Sequence, residues 1–239
     1  MDDYVTLVVH GAAKVGKTTF GATGPGRTLI FDSEAGGMRF VPGKKVTWDV
    51  YKGEDMPDPD GDWQICRVPT DNVQTLMRAR DFLLTGRHPF NNIVIDSLTE
   101  LQDIVKRERS STFQLEQRDW GIVFGVMNDV VVALRDLVGA HDGLKSLVVI
   151  TGTTFRDGMF RPMIAGQFGS KLPYKLDAIG YLHKMKDESD KVRRVLILNE
   201  SQNYEVGHRL GSACPDVIWD PTMSSLLNSV FQTDYPSAL

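Results

Sequence analysis

The feature that narrows the fold most is eight residues long. Gly11-Ala12-Ala13-Lys14-Val15-Gly16-Lys17-Thr18 is a complete G-x-x-x-x-G-K-[ST] run. It follows a short apolar stretch, Val5 to Val9, and precedes a helical stretch that Gly24-Pro25-Gly26 ends. Strand, loop and helix in that order are the context this motif requires. Its physics predicts a cradle for a polyphosphate. Gly11 and Gly16 let the backbone curl until the N–H groups of Ala12, Ala13, Lys14 and Val15 face one anion. The positive end of the helix, with Thr19 in its first turn, adds to that field. Lys17 is placed for the β- and γ-phosphates, and the Thr18 hydroxyl for a metal. ATP and Mg²⁺ are therefore the expected cofactors.

The rest of the chain alternates in the same way. Thr28 to Phe31, Ile93 to Ile95 and Leu147 to Ile150 are short apolar runs that suit buried parallel strands. Between them lie helical patterns. One is capped by Asp71, runs through Val73, Leu76, Met77 and Leu83/Leu84, and closes at Gly86. A second opens on the capping box Ser97-Leu98-Thr99-Glu100 and continues through Leu101, Ile104 and Val105. A third spans about Ile122 to Leu137 and ends near Gly139. Beyond Ala178 the pattern changes. AIGYLHKMK and VRRVLILN flank the polar turn DESDK and predict an antiparallel hairpin, and a last helix is expected over Met223 to Phe231. These units imply an α/β fold, mainly a parallel sheet with flanking helices and a C-terminal antiparallel hairpin. The expected organisation is a single domain over residues 1–239. It carries a surface loop at 51–64, rich in Asp, Pro and Gly, and a C-terminal tail and helix over 212–239.

Composition excludes several classes. The 239 residues carry 27 Lys+Arg against 31 Asp+Glu, a net charge of −4, which argues against a generally basic nucleic-acid binder. Two cysteines, Cys66 and Cys214, give neither a disulfide framework nor zinc-ligand spacing, so a reducing cytoplasm is expected. No apolar run approaches the ~20 residues of a membrane span, and no membrane partner is expected. The acidic start MDDYVTLVVHG runs into a strand and does not read as a signal peptide.

A magnesium site needs a second anchor. Asn92-Ile93-Val94-Ile95-Asp96-Ser97 supplies it by placing Asp96 where a strand meets the loop edge. Hydrolysis needs a group to activate water. Leu29-Ile30-Phe31-Asp32-Ser33-Glu34 ends another strand with two acids, and strand C-termini converge on the ligand crevice of a parallel sheet. Glu34 is thus the candidate general base. Glu100 competes, but the capping box gives it a structural role.

The ordered set GAAKVGKTT, IFDSEAGG, NIVIDS, LVVITGT and a late hairpin resembles the RecA family. Within that family it is most similar to the small phage proteins of the Sak single-strand annealing group, which also carry an AAA-type label. The short D-S-E segment, the DS ending, Asp119-Trp120-Gly121 as a turn and a late basic element carry this resemblance. The resemblance implies a RecA-like P-loop NTPase core, a catalytic glutamate at Glu34, and γ-phosphate sensing near Thr151 and Thr153. It implies homo-oligomers, as rings or filaments, coupled by a basic finger. Here the finger segment is Gly207-His208-Arg209, so only Arg209 remains for that role. The segment that precedes the core in full recombinases is not expected, because the chain starts almost at its first core strand.

The resemblance also implies two loops for single-stranded DNA. Lys106 to Arg118 offers Lys106, Arg107, Arg109 and Arg118 with Phe113. Thr153 to Lys171 offers Arg156, Arg161 and Lys171 with Phe155, Phe160 and Phe168, and Gly158, Gly166 and Gly169 are expected to keep it mobile. Cations with interleaved aromatics suit phosphate tracking plus base stacking. The leading expectation is a DNA-stimulated, Mg²⁺-dependent ATPase in phage-type recombination or annealing, in a host cytoplasm, with a single-strand binding protein as a further candidate partner. The alternatives are an ATP-switched replication or assembly accessory, or a small-molecule P-loop kinase.

Overall fold

The computed structural model describes residues 3–34, 36–110, 114–199, 201–237 and 239. In chain order the elements begin β1 (Val5–His10), α1 (Lys17–Ala22), β2 (Arg27–Asp32), β3 (Lys45–Thr47), β4 (Ile65–Pro69) and α2 (Val73–Leu83). They continue with β5 (Phe90–Asp96), α3 (Leu98–Arg109), α4 (Gln117–Ala140), β6 (Ser146–Thr151), β7 (Thr153–Arg156) and β8 (Met159–Pro162). The last are α5 (Gly166–Lys171), β9 (Ala178–Lys186), β10 (Val192–Ile197), β11 (Gly207–His208), β12 (Val217–Trp219) and α6 (Met223–Phe231).

Among the described residues, ten strands make one sheet in the order β12-β10-β9-β1-β6-β5-β2-β4-β3, with β11 on β9. From β9 through β3 neighbours run parallel, while β10, β11 and β12 add antiparallel. The strand period of two divides the apolar residues between two cores. Val8, Leu29, Phe31, Ile93, Ile95, Leu147 and Val149 face the side covered by α2, α3, α4 and α5. Leu7, Val9, Ile30, Val94, Val148 and Ile150 face the side of α1 and α6. Burial on both faces explains why these strands read as unbroken apolar runs.

Several expectations need correction. Asn72, not Asp71, caps α2, because its side chain accepts from Thr75 N. α4 starts at Gln117 and contains Asp119-Trp120-Gly121 within its first two turns, so that trio is no loop turn. It fits there because Glu116 and Asp119 form a capping box ahead of it. Ser97 caps α3, but Glu100 does not return the bond and instead accepts from Arg107 at 2.7 Å. β3 and β4 were not anticipated. The segment 51–64 links them and is tied down by two buried tryptophans, Trp48 ahead of it and Trp63 near its end. Trp48 Nε1 donates to Glu54 O and Trp63 Nε1 to Asp58 O, each at 2.9 Å.

Candidate functional site

The loop between β1 and α1 owes its shape to two glycines with different tasks. A Cβ on Gly11 would stand 2.3 Å from the carbonyl oxygen of Leu182 on β9, so this position demands close approach. Gly16 has φ +101°, which favours glycine on conformational grounds. Val15 is buried under the loop, while Ala12, Ala13 and Lys14 are exposed above it. Lys17 folds back, and its Nζ donates to the carbonyls of Gly11 at 3.0 Å and Ala12 at 2.9 Å. Burial lowers its pKa, and the nearby Glu34 and Asp96 oppose that shift.

The parallel register brings the ends of β2 and β5 to the same level, with Asp32 beside Asp96. From there Asp96 reaches α1, and the Thr18 hydroxyl donates to its Oδ2 at 2.7 Å. Burial lifts the Asp96 pKa to about 6; the Thr18 bond opposes this, and Glu34 and Asp32 add to it. A dication at this point would reverse that tendency. No group of three or more His, Cys, Asp or Glu side chains suited to a metal exists among the described residues. One hydroxyl and one carboxylate fit Mg²⁺, which takes few protein ligands and completes its shell with phosphate and water.

Glu34 lines the same cavity of about 700 Å³ as the loop, Thr18, Thr19 and Asp96. Two contacts aim it. Ser97 Oγ donates to Glu34 Oε1 at 2.5 Å, and Glu34 N donates to Asp32 Oδ1 at 3.1 Å. The other Asp32 oxygen accepts from Arg67 Nε at 2.5 Å. Asp32, Arg67 and Ser97 therefore position Glu34. The strand-ending pair of acids had signalled Asp32, but Arg67 lay on an unpredicted strand. Phe40 also lines the cavity and is 79% exposed, an aromatic face that motif reading missed.

The remaining candidates separate. Thr151 is buried in β6 and donates to Gly152 O at 2.9 Å, so its hydroxyl is not offered to the cavity. Thr153 does line it, and its Oγ1 lies 3.2 Å from His10 Nδ1. Arg209 is bound to Asp177, Nε to Oδ1 at 2.9 Å. Asp177 in turn accepts from Thr6 near the start of β1, at the opposite end of that strand from its own phosphate loop. Arg209 thus contributes nothing to the site of its own chain.

In the first candidate DNA segment the four cations sit on helices, not on a loop. Lys106, Arg107 and Arg109 occupy the last turn of α3, and Arg118 the first turn of α4. Lys106 bonds Asp103 at 2.5 Å, and Arg107 is engaged by Glu100. Phe113 lies outside the described residues. The second segment is a hairpin, β7–β8, followed by α5. Two of its glycines answer geometric demands. Asp157 and Gly158, both with positive φ, form the two-residue turn, and a Cβ on Gly169 would stand 2.5 Å from Ile164 O. Phe168 is core, 1% exposed and edge-on to Phe124. Phe155 is 63% exposed near the hairpin tip, beside exposed Arg156. Phe160 joins a stack with Tyr204 and Tyr181, and Arg161 is half-buried. Lys171 is exposed at the end of α5.

Among the described residues no helix is long and apolar enough to cross a membrane. A family model described as an AAA domain matches residues 3–210. A search of curated proteins returns no match.

Proposed function

The chain belongs to the AAA domain family of P-loop ATPases, and from that premise we propose that it binds ATP with Mg²⁺ and hydrolyses it while acting on single-stranded DNA. One observation carries the nucleotide half. Lys17, Thr18, Asp96 and Glu34 converge on a single cavity although they come from α1, β5 and the end of β2. On this reading the loop N–H groups and Lys17 hold the phosphates, and Thr18 and Asp96 hold the metal. Bound Mg²⁺ would neutralise charge on the β- and γ-phosphates. Glu34, aimed by Ser97 and Asp32, takes a proton from the attacking water. The exposed ring of Phe40 offers a stacking surface for the base.

The DNA half is supported by the β7–β8 hairpin, where Phe155 and Arg156 project beside Arg161. The hairpin leaves β6 next to the cavity. Gly152 N donates to Thr99 Oγ1 at 3.0 Å, and that hydroxyl donates to Met163 O at 3.1 Å, so nucleotide cavity and hairpin share a frame. Annealing or recombination, in a ring or filament, is the activity this arrangement would serve. A second reading is favoured by the capture of Arg209 on Asp177: ATP acts as an assembly switch for an accessory factor.

Glu34→Gln tests both. We expect ATP turnover to fall by about 10²–10⁴-fold with ATP affinity kept. Turnover within threefold of wild type would remove Glu34 from the mechanism. Lost turnover with intact DNA annealing would favour the switch.

A further inference from the structure

Residues outside the loop also bear on the nucleotide. β9 outruns β1: the last residue of β1, His10, pairs with Tyr181, and β9 continues to Lys186. This overhang, with β10 beside it, stands alongside the phosphate loop. Leu182 meets Gly11, as described. One turn of the pleat further out, a Cβ on Gly16 would stand 3.1 Å from Nη1 and 3.3 Å from Cδ of Arg194. Arg194 on β10 lies directly across from Lys184 on β9. By strand alternation both share the face of Leu182 and Leu196, which belong to the core beneath α1.

The backbone of Arg194 is fixed on both sides by Asp220. Arg194 N donates to Asp220 Oδ1 at 3.2 Å, and Asp220 N donates to Arg194 O at 2.7 Å. The other Asp220 oxygen is taken by Arg193 Nε at 2.8 Å, on the opposite face. Neither the Arg194 nor the Lys184 side chain makes a hydrogen bond or ion pair among the described residues. Like charges directly opposite in a sheet destabilise it, and an anion between them removes that cost. Arg194 is only half-buried, and its guanidinium touches the loop at the residue before Lys17.

We propose that Arg194, with Lys184 opposite, is a second cationic contact for the nucleotide's phosphates, supplied in cis by the antiparallel strands. This rests on reading the loop as a nucleotide site. Arginine suits the task because its planar donors grip phosphate oxygens in pairs.

The test is calorimetric titration of Mg²⁺-ATP into the full chain, without nucleic acid, as wild type, Lys17→Ala, Arg194→Met, Arg194→Lys and Arg193→Met. Methionine keeps the stem that packs on Gly16. Arg194→Met should weaken ATP about tenfold, as expected for a lost charge-assisted contact. Lysine should recover part of this, and Arg193→Met should stay within twofold. Nucleotide-free Arg194→Met should melt no lower than wild type, because a like-charge pair has been removed. The inference fails if Arg194→Met binds ATP within twofold of wild type. It also fails if that variant melts lower without nucleotide, which would make Arg194 a buttress for the loop. A parallel titration of a single-stranded oligonucleotide that shows weakened binding by Arg194→Met, with its ATP affinity unchanged, would overturn the inference and reassign the pair to nucleic acid. A wild-type chain that takes up no ATP defeats the nucleotide reading itself, whereas wild-type binding with an unaffected Arg194→Met defeats this inference alone.

Discussion

At the scale of single residues, the site depends on groups that no motif names. His10 ends β1 just before the loop, fully buried, with Nε2 2.9 Å from the carbonyl oxygen of Glu205. Burial pushes its pKa down from 6.5 to about 4; the bond to Glu205 opposes this, and Lys17 adds to it. Nε2 therefore donates to Glu205 O, and Nδ1 is the unprotonated nitrogen, 3.2 Å from Thr153 Oγ1. An unfolded chain protonates this histidine near pH 6.5, and the folded chain resists until about pH 4. The stability His10 contributes is complete above pH 6.5 and is lost as pH falls from there to 4. At pH 5 the loss should be about 2 kcal/mol. Urea unfolding of wild type and His10→Asn at pH 7.5 and pH 5 checks this: the wild type should lose that much more than the variant. Equal losses would place the acid sensitivity elsewhere. The loop residues were legible because their backbone chemistry is local. Arg67 and Ser97 were not, because their role follows from which strands become neighbours.

At the scale of elements, the β7–β8 hairpin and α5 show where residue type runs out. Phe155 and Phe168 sit in one aromatic-basic stretch and read alike in the sequence. Folding sends Phe168 into the core against Phe124 and leaves Phe155 in solvent. Phe168→Ala should destabilise the protein by about 3–5 kcal/mol, whereas Phe155→Ala should change stability by less than about 0.5 kcal/mol. On the proposed function, Phe155→Ala should instead weaken binding of a single-stranded oligonucleotide by about 1–3 kcal/mol. Chemical denaturation and oligonucleotide anisotropy on both variants separate the two roles. Oligonucleotide binding untouched by Phe155→Ala would remove the hairpin tip from the DNA path. α3 and α4 teach a similar lesson about charge. Lys106 and Arg107 face acids one or two turns away, Asp103 and Glu100, which a linear reading as a basic loop does not weigh.

For the whole molecule, net charge is a weak guide and placement a better one. The net charge of −4 is spread so that segment 51–64 is acidic, while the Arg194 guanidinium lies against the phosphate loop at Gly16. If Arg156 and Arg161 with one further cation meet DNA phosphates, raising salt from 50 to 200 mM should weaken oligonucleotide binding about 20-fold through counterion release. Salt-insensitive binding would exclude phosphate contacts by these cations. A native mass measurement with ATP, Mg²⁺ and single-stranded DNA, set beside the protein alone, should show an assembly larger than one chain. A single-chain mass under both conditions would sink the proposed oligomer. The sequence by itself determined the phosphate loop, the alternation of buried strands and helices, and the placement of Asp96 and Glu34 at strand ends, because each depends on periodicity or local backbone geometry. Only the tertiary structure decided that Asp32, Arg67 and Ser97 hold Glu34, that Phe168 is core, that Arg209 is tied to Asp177, and that Arg194 lies against Gly16. Those facts depend on how the strands and helices pack, which brings together residues from a few tens to well over a hundred positions apart and leaves no trace in the spacing along the chain.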